Sequence, residues 1–468
     1  MCGIILLRKE DSNQKRLESI THRGIEYSIE ETESHVMCHH RLPIQTLDGD
    51  NWNQPIEISK GIYLMFNGEI FNYDKSRFSS DTEYLCSLFS GISTIDPEMF
   101  SGMYLPYITE WDGFWSIVIF DSNTKNVLCF TDPLGKKCLY KNDRGEICSE
   151  IKGVVNEESV IDRSTISSIR KWGYNKDKRT CFTNITRILP NSIYFYNMES
   201  PNFEKVLNPY YTSWDSPIED LIGADYEDHM NWLWDKMFES VSNRLVSKNY
   251  PISLLVSGGL DSSIIAAILK EMNANTTWFS IENGESQYVD LLSRHLETPV
   301  KFLDYSMNME YDKFIYRDWN ESPIDLGSVI PQYHLFESIK KESNFRIVLS
   351  GDGSDELFGG YSRIKEYDSQ RSDIFEELSF YHLPRLDKMS MAHTLELRNP
   401  FLNLDIVRFA LHLPKEWRTD KKILKDTFSP MLPDDIVNRK KEALKNPEIK
   451  KDKIEYRDKA INIFLDSF

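Results

Sequence analysis

The chain has 468 residues, 40% hydrophobic and 12% aromatic, a composition that excludes intrinsic disorder and a length beyond what one core usually organises. Its formal net charge of -18 argues against nucleic acid as a partner, because phosphate binding needs clustered Lys and Arg. No apolar run approaches a membrane span and no signal-peptide pattern opens the chain, so two globular domains in a reducing, cytoplasmic setting are expected.

Met1-Cys2-Gly3-Ile4 opens an apolar stretch. If Met1 is removed, Cys2 carries both a thiol and an α-amine of pKa about 8 able to serve as its base. Taken singly, Cys2 reads equally well as a small buried residue of a strand. The seven cysteines (Cys2, Cys38, Cys86, Cys129, Cys138, Cys148 and Cys181) are odd in number and lack a C-x-x-C pair, which favours free thiols. His35, His39 and His40 lie too close together in sequence to aim at one ion, so ordinary strand positions are expected for them.

Trp115 to Asp121 and Asn126 to Phe130 flank Ser122-Asn123-Thr124-Lys125 in a hairpin pattern, and Cys138 to Tyr140 and Glu146 to Cys148 continue it. Antiparallel sheets with few helices follow from that pattern. Met198 to Phe203 and Trp214-Asp215-Ser216-Pro217 read as linker. The expected division is therefore residues 1–195, a linker at 196–220, and residues 221–468.

Tyr226 to Val246 reads as a helix leading to Ile252-Ser253-Leu254-Leu255-Val256, a short buried strand. Ser257-Gly258-Gly259-Leu260-Asp261-Ser262-Ser263 follows, and a helix begins there with Asp261 or Ser262 as its N-cap. Strand, glycine loop and helix start together make a phosphate cradle, since the glycines admit an anion to the backbone and the helix offers unpaired N–H groups. No G-K-[ST] follows, so this is not a Walker A loop. Thr276 to Ile281, Val300 to Tyr305 and Arg346 to Leu349 are further strands, alternating with helices over Ser286 to Leu296 and Val329 to Lys341. Such alternation implies a parallel doubly wound sheet with ligands beyond its carboxyl edge, which gathers Ser257–Ser263, Ile281 and Ser350–Glu356. Read alone, Ser350-Gly351-Asp352-Gly353-Ser354-Asp355-Glu356 would be a solvated acidic turn; beside a phosphate cradle its carboxylates become candidate metal ligands.

The ordered stretches His22-Arg23-Gly24, Arg41-Leu42-Pro43-Ile44, Asn67-Gly68-Glu69-Ile70-Phe71-Asn72 and Ser80-Asp81-Thr82-Glu83, with Cys2, resemble the glutaminase domain of class II amidotransferases. The resemblance implies a layered α+β N-terminal-nucleophile sandwich in which Cys2 attacks the glutamine amide. Asn67 and Gly68 would form the oxyanion hole, and Arg41, Ile44, Glu69 and Asp81 would bind glutamine. The glycine loop, Ser350–Tyr361, Arg385–His393, Glu396–Leu402 and Lys421–Lys425 resemble glutamine-hydrolysing asparagine synthetase, whose second half is an α/β ATP pyrophosphatase domain. Carried over, Leu255 and Ile281 flank adenine, while Ser257, Gly258, Gly259, Asp261 and Ser262 hold pyrophosphate. Ser350 and Gly351 touch the nucleotide. Asp261 and Asp355 would hold magnesium, Asp352 would assist proton transfer, and Lys421 would neutralise phosphate charge. Arg23 and Phe114 sit in stretches resembling the lining of an ammonia channel.

The implied partners are glutamine, aspartate and ATP, with no nucleic acid or membrane and with room for a homodimer. The sequence departs from the family at Ile25-Glu26 for Pro-Asp, Pro43 for serine, Thr131 for arginine, Cys138 for proline, Asp352 for glutamate and Asn403 for aspartate. Three other readings stay open: another carboxylate acceptor, a non-catalytic regulatory relative, and a ligase fed by free ammonia. The basic stretch from Lys440 to Lys453 reads as a solvated helix or frayed end.

Overall fold

The computed structural model describes residues 2–44, 52–209, 216–282, 285–303, 315–324, 326–360, 376–439 and 453–466. Met1, Trp214-Asp215 of the expected linker, Tyr305, Tyr361 and the basic stretch 440–452 lie outside the described residues.

Alternation of apolar side chains builds the first half. In strand β1 (Cys2–Arg8), Ile4 and Leu6 point to one face and Ile5 and Leu7 to the other, and all four are fully buried. β1 lies inside a six-stranded sheet of order β10-β8-β9-β1-β3-β2, with β2 at Glu26–Glu31, β3 at His35–Arg41, β8 at Tyr140–Asn142, β9 at Ile147–Cys148 and β10 at Ile185–Arg187. The second sheet runs β12-β11-β7-β6-β5-β4, with β4 at Ile56–Ser59, β5 at Ile62–Ile70, β6 at Gly113–Asp121, β7 at Asn126–Thr131, β11 at Ile193–Asn197 and β12 at Ser200–Leu207.

Ile4, Leu6 and Met37 of the first sheet pack on Met65, Val118, Phe120 and Tyr194 of the second, forming the core between them. Behind the second sheet, Leu64, Phe66, Ile117 and Phe130 pack on the helices Asp81–Phe89 and Pro97–Ile108. Behind the first, Ile5 and Leu7 join a core that includes Ile166 and Ile169 of the helix Arg163–Trp172. The result is the expected sandwich with helical layers outside it. The hairpin at Ser122–Lys125 is present, with Asp121 opposite Asn126. The three histidines are buried on β3, as expected of strand positions.

One expectation about this half needs correction. Met198–Phe203 is not linker: Ser200–Leu207 forms β12, antiparallel to β11. Pro201 disguised it, yet proline is tolerated on an edge strand, where its missing N–H faces no partner.

The second half is a five-stranded parallel sheet of order β15-β14-β13-β16-β17, with β13 at Ile252–Leu255, β14 at Thr276–Ile281, β15 at Val300–Leu303, β16 at Ile347–Leu349 and β17 at Glu396–Arg398. The helix Leu260–Glu271 packs on it through Ile264, Ile265, Ile268 and Leu269, all fully buried. Its N-cap is Gly259, not Asp261 or Ser262, because Leu260 already has helical geometry. Charged contacts cross between the halves: Arg244 pairs with Asp112 at 3.1 Å and Arg398 reaches Glu69 at 3.5 Å.

Candidate active site

Strand register assembles the first site. β1 pairs β3 so that Cys2 lies opposite Arg41, and β5 ends beside it with Asn67, Gly68 and Glu69. Cys2, Arg41, Ile44, Gly68, Glu69 and Asp81 wall one pocket, together with Trp52 and Gln54. The Cys2 N–H donates to Asn67 Oδ1 at 3.0 Å, which turns Asn67 Nδ2 toward Ser116 Oγ at 3.4 Å. Burial raises the Cys2 thiol above its ordinary value.

Gly68 has φ +151, and a Cβ there would lie 2.1 Å from the Phe114 carbonyl oxygen. Only glycine lets β5 and β6 approach so closely beside the pocket. Asp81 opens the helix Asp81–Phe89 behind the cap Ser80, and its carboxylate accepts from Ile70 N at 3.1 Å and Thr82 N at 2.8 Å. Burial, reinforced by Glu396, pushes Glu69 up to about 8, and burial pushes Asp81 up to about 7. Arg41 donates to Asn53 Oδ1 at 3.1 Å and lies 3.4 Å from Glu26 Oε2. The pocket thus has a thiol, neutral donors, a guanidinium and two carboxyls, the set an amino acid with an amide side chain would need.

The second site lies at the carboxyl edge of the parallel sheet. The loop after β13 closes on itself through hydroxyls: Ser257 N donates to Ser262 Oγ at 3.2 Å, and Ser262 Oγ donates to Gly259 O at 3.2 Å. Gly258 has φ +68, and a Cβ there would meet Tyr288 Cβ at 2.8 Å. Leu255 and Ile281, half-buried, end the neighbouring strands β13 and β14. Beyond β16, Ser350 Oγ donates to Asp352 Oδ2 at 2.5 Å and accepts from Asn399 Nδ2 at 2.9 Å. Gly351 packs so tightly that a Cβ would come 2.8 Å from Asp261 Cβ.

Lys421 closes this site. Its Nζ is 2.6 Å from both Asp261 oxygens and 2.6 Å from Asp355 Oδ1. Asp420 and Lys421 both hold left-handed φ, 57° and 58°. Burial opposes the Lys421 charge, but Asp261 and Asp355 outweigh it and raise its pKa. Two carboxylates thus converge on one cation. Among the described residues no group of three or more His, Cys, Asp or Glu is arranged to hold a metal ion. A pair of carboxylates fits a magnesium ion held largely through substrate phosphates.

Every site residue expected from sequence falls in one of these two groups. Trp52, Gln54, Ser116 and Arg439 were missed. Arg439 donates to Gly258 O at 2.9 Å from a distant segment, and no local pattern announces such a contact. Asn403 caps the helix Leu404–His412, accepting from Asp405 N at 3.0 Å, so the change from aspartate keeps the cap. Arg23 and Phe114 both lie at the seam between the halves: Arg23 Nη2 donates to Asp387 Oδ2 at 2.8 Å, and Phe114 lies 4.0 Å under Lys136 Nζ, which donates to the Leu397 carbonyl oxygen.

The asparagine synthase family model matches residues 233–379 and 369–467, and the glutamine amidotransferase domain model matches residues 1–211. The asparagine synthetase [glutamine-hydrolyzing] of Homo sapiens is 27% identical over 500 residues, covering 95% of this chain and 84% of that protein. The one from Pongo abelii has the same identity and coverage. A putative asparagine synthetase [glutamine-hydrolyzing] 1 from Methanocaldococcus jannaschii is 28% identical over 469 residues, covering 87% of this chain and 81% of that one. A solved U34-tRNA thiolase from Methanococcus maripaludis superposes with a TM-score of 0.27 and 12% identity over 51% of this chain and 72% of that one, too loosely to carry an argument. Among the described residues no helix is long and apolar enough to cross a membrane. With two antiparallel sheets ahead of a five-stranded parallel sheet, and with these matches, the chain belongs to the asparagine synthase family and is an enzyme of the ligase class.

Proposed function

We propose that the enzyme converts aspartate to asparagine, taking ammonia from glutamine and cleaving ATP to AMP and pyrophosphate. One observation carries the reading: Cys2, Arg41, Glu69 and Asp81, distant in sequence, wall a single pocket. There the Cys2 sulfur attacks the amide carbon of glutamine. Asn67 Nδ2 and the Gly68 N–H donate to the oxyanion as it forms. Arg41 pairs with the α-carboxylate, Glu69 and Asp81 with the α-ammonium, and Ile44 packs on the aliphatic stem. The α-amine exposed by removal of Met1 takes the thiol proton and passes it to the departing nitrogen as the C–N bond breaks, so ammonia leaves. Water then hydrolyses the thioester to glutamate and free thiol.

At the second site an oxygen of the aspartate side chain attacks the α-phosphorus of ATP. The bond to the β-phosphate breaks, pyrophosphate leaves with the electron pair, and β-aspartyl-AMP remains. Ammonia adds to the acyl carbon, AMP departs, and Asp352 receives the proton. Leu255 and Ile281 flank the adenine. Ser257, Gly258, Gly259 and Ser262 cradle the phosphates, and Ser350 and Gly351 complete the nucleotide site. Asp261 and Asp355 would hold magnesium, which supplies charge neutralisation on the phosphates, and Lys421 adds to it. Ammonia in bulk water near neutral pH is mostly ammonium, which is no nucleophile. It therefore passes along the seam beside Arg23 and Phe114. The glutaminase unit runs through β12, and the synthetase unit occupies residues 221–468.

The test supplies ATP, magnesium, glutamine and aspartate and follows all four products. Asparagine and AMP should form in equal amounts, and Cys2→Ala should form them only from added ammonia. Glutamate without aspartate-dependent AMP would assign the acceptor to another carboxylate. Loss of every product would overturn the reading.

A further inference from the structure

β17 places two side chains of opposite charge on one face, since residues two apart in a strand point the same way. Arg398 Nε donates to Glu396 Oε1 at 2.5 Å, and Arg398 Nη1 donates to the Arg244 carbonyl oxygen at 2.7 Å. The remaining nitrogen, Nη2, makes no hydrogen bond and reaches Glu69 Oε2 of the glutamine pocket at 3.5 Å. Arg398 is 1% exposed and its guanidinium lies 5.2 Å from the Phe71 ring centroid. A buried charge held between two carboxyl groups responds strongly to a further charge, because little water screens it.

The backbone of Arg398 faces the other site. Its carbonyl oxygen accepts from Ser350 N at 3.1 Å. The next residue, Asn399, donates from Nδ2 to Ser350 Oγ at 2.9 Å, and Ser350 Oγ donates to Asp352 Oδ2 at 2.5 Å. Asn399 Oδ1 also accepts from Lys136 Nζ at 2.7 Å, which fixes the amide orientation.

We propose that Arg398 is a positioning residue that ties occupancy of the glutamine pocket to the placement of Asp352 at the acyl-activation site. The proposal rests on the assignment of Glu69 to the α-ammonium and of Asp352 to the acyl group made above. An ammonium bound beside Glu69 adds a positive charge that pushes the Arg398 guanidinium, 3.5 Å from Glu69 Oε2, away from the pocket. The guanidinium then swings its balance toward Glu396, and the end of β17 moves with it. Ser350 is bonded to both Arg398 and Asn399, so it follows, and Asp352 follows Ser350. The tight packing of Gly351 against Asp261 leaves the loop no slack to absorb the shift. Coupling of this kind must be reciprocal: nucleotide and aspartate must alter glutamine binding by the factor by which glutamine alters theirs.

The experiment uses full-length Cys2→Ala, which retains glutamine without consuming it. Glutamine affinity is titrated calorimetrically with and without a non-hydrolysable ATP analogue plus aspartate. Ammonia-driven asparagine synthesis is measured with and without saturating glutamine. The expected coupling is about fivefold in both directions. Arg398→Met in the same background should bring it to unity, and Arg398→Lys, which keeps the charge, should restore part of it. Asn399→Ala breaks the link downstream and should abolish coupling while glutamine still binds, which covers a failure of Arg398→Met to fold. No coupling in Cys2→Ala itself, or undiminished coupling in Asn399→Ala, would overturn the proposal. Absence of ammonia-driven synthesis would overturn the proposed activity alone, because the binding titration needs no turnover.

Discussion

Arg23 joins Asp387 across the two halves of the molecule: its Nη2 donates to Asp387 Oδ2 at 2.8 Å while its Nε donates to the Cys2 carbonyl oxygen at 3.0 Å. Nη1 donates to Glu150 Oε1 at 2.7 Å, and Lys137 pairs with the other oxygen of Asp387. The backbone of Cys2 is therefore anchored to the helix Leu383–Met391 of the second half. All four charged groups are buried.

Asp387→Ala should destabilise the protein by about 3–5 kcal/mol, because it strands the buried Lys137 charge and leaves Arg23 with Glu150 alone. Burial already holds the Lys137 pKa below its ordinary value, so without Asp387 the amine loses its proton and the loss is moderated. The urea midpoint should fall, glutaminase activity should fall with it, and Asp387→Leu combined with Lys137→Met should recover most of the stability. An unchanged midpoint in Asp387→Ala would show that the network holds nothing together.

Gly68→Ala should abolish glutamine-dependent synthesis and leave ammonia-driven synthesis in place. The added Cβ meets backbone on both near sides, Phe114 O at 2.1 Å and Trp115 Cα at 2.6 Å, so β5 must part from β6. The Gly68 N–H moves away from the oxyanion, and losing one such donor lowers kcat by about 100-fold or more. Equal loss of both activities would mean general unfolding, which a melting curve would reveal.

What could be read from sequence was what lies within a few residues of itself. The Ser257–Ser263 loop, the hairpin at Ser122–Lys125 and the strand alternation after Thr276 are local patterns, and the structure has them. Cys2, Gly68 and Asp81 each sit in a short motif, though nothing local says that they share a pocket. The failures have the same root. β12 is a strand only because β11 lies beside it, and the Arg398 contact with Glu69 spans the chain. Gly259 rather than Asp261 is the cap because Leu260 is already helical, which leaves Asp261 inside the first turn, held by Ser354 Oγ at 2.7 Å and by Lys421.

Lys421→Met should remove ATP-dependent synthesis and spare glutaminase activity. Without the ammonium, Asp261 and Asp355 face one another with no cation between them, and burial already raises Asp261 above its ordinary value. Lys421→Arg should recover little, since a planar fork does not replace a compact point charge in a buried site. Synthesis should drop by about 100-fold or more in Met, as for other electrostatic groups at a reacting phosphate. Retained synthesis in Met would exclude Lys421 from the phosphate site.

Glutamine binding should release protons. In the empty pocket, burial, with Glu396, pushes Glu69 up to about 8, and burial pushes Asp81 up to about 7, so near neutral pH the pair carries protons. An α-ammonium favours the ionised carboxylates and expels those protons. For stability the sign runs against the usual carboxylate: the native state binds more protons than the unfolded chain, so the empty protein loses stability as pH rises from about 4 toward those raised values. For binding, affinity should tighten as pH rises from about 6 to about 8, by up to about tenfold per unit for each proton released. Calorimetry on Cys2→Ala in two buffers of different ionisation enthalpy measures the proton count directly. Glu69→Gln should reduce that count and flatten the profile, since it removes one of the two titrating groups. Affinity that weakens over the same range would mean that the ammonium does not meet Glu69 and Asp81.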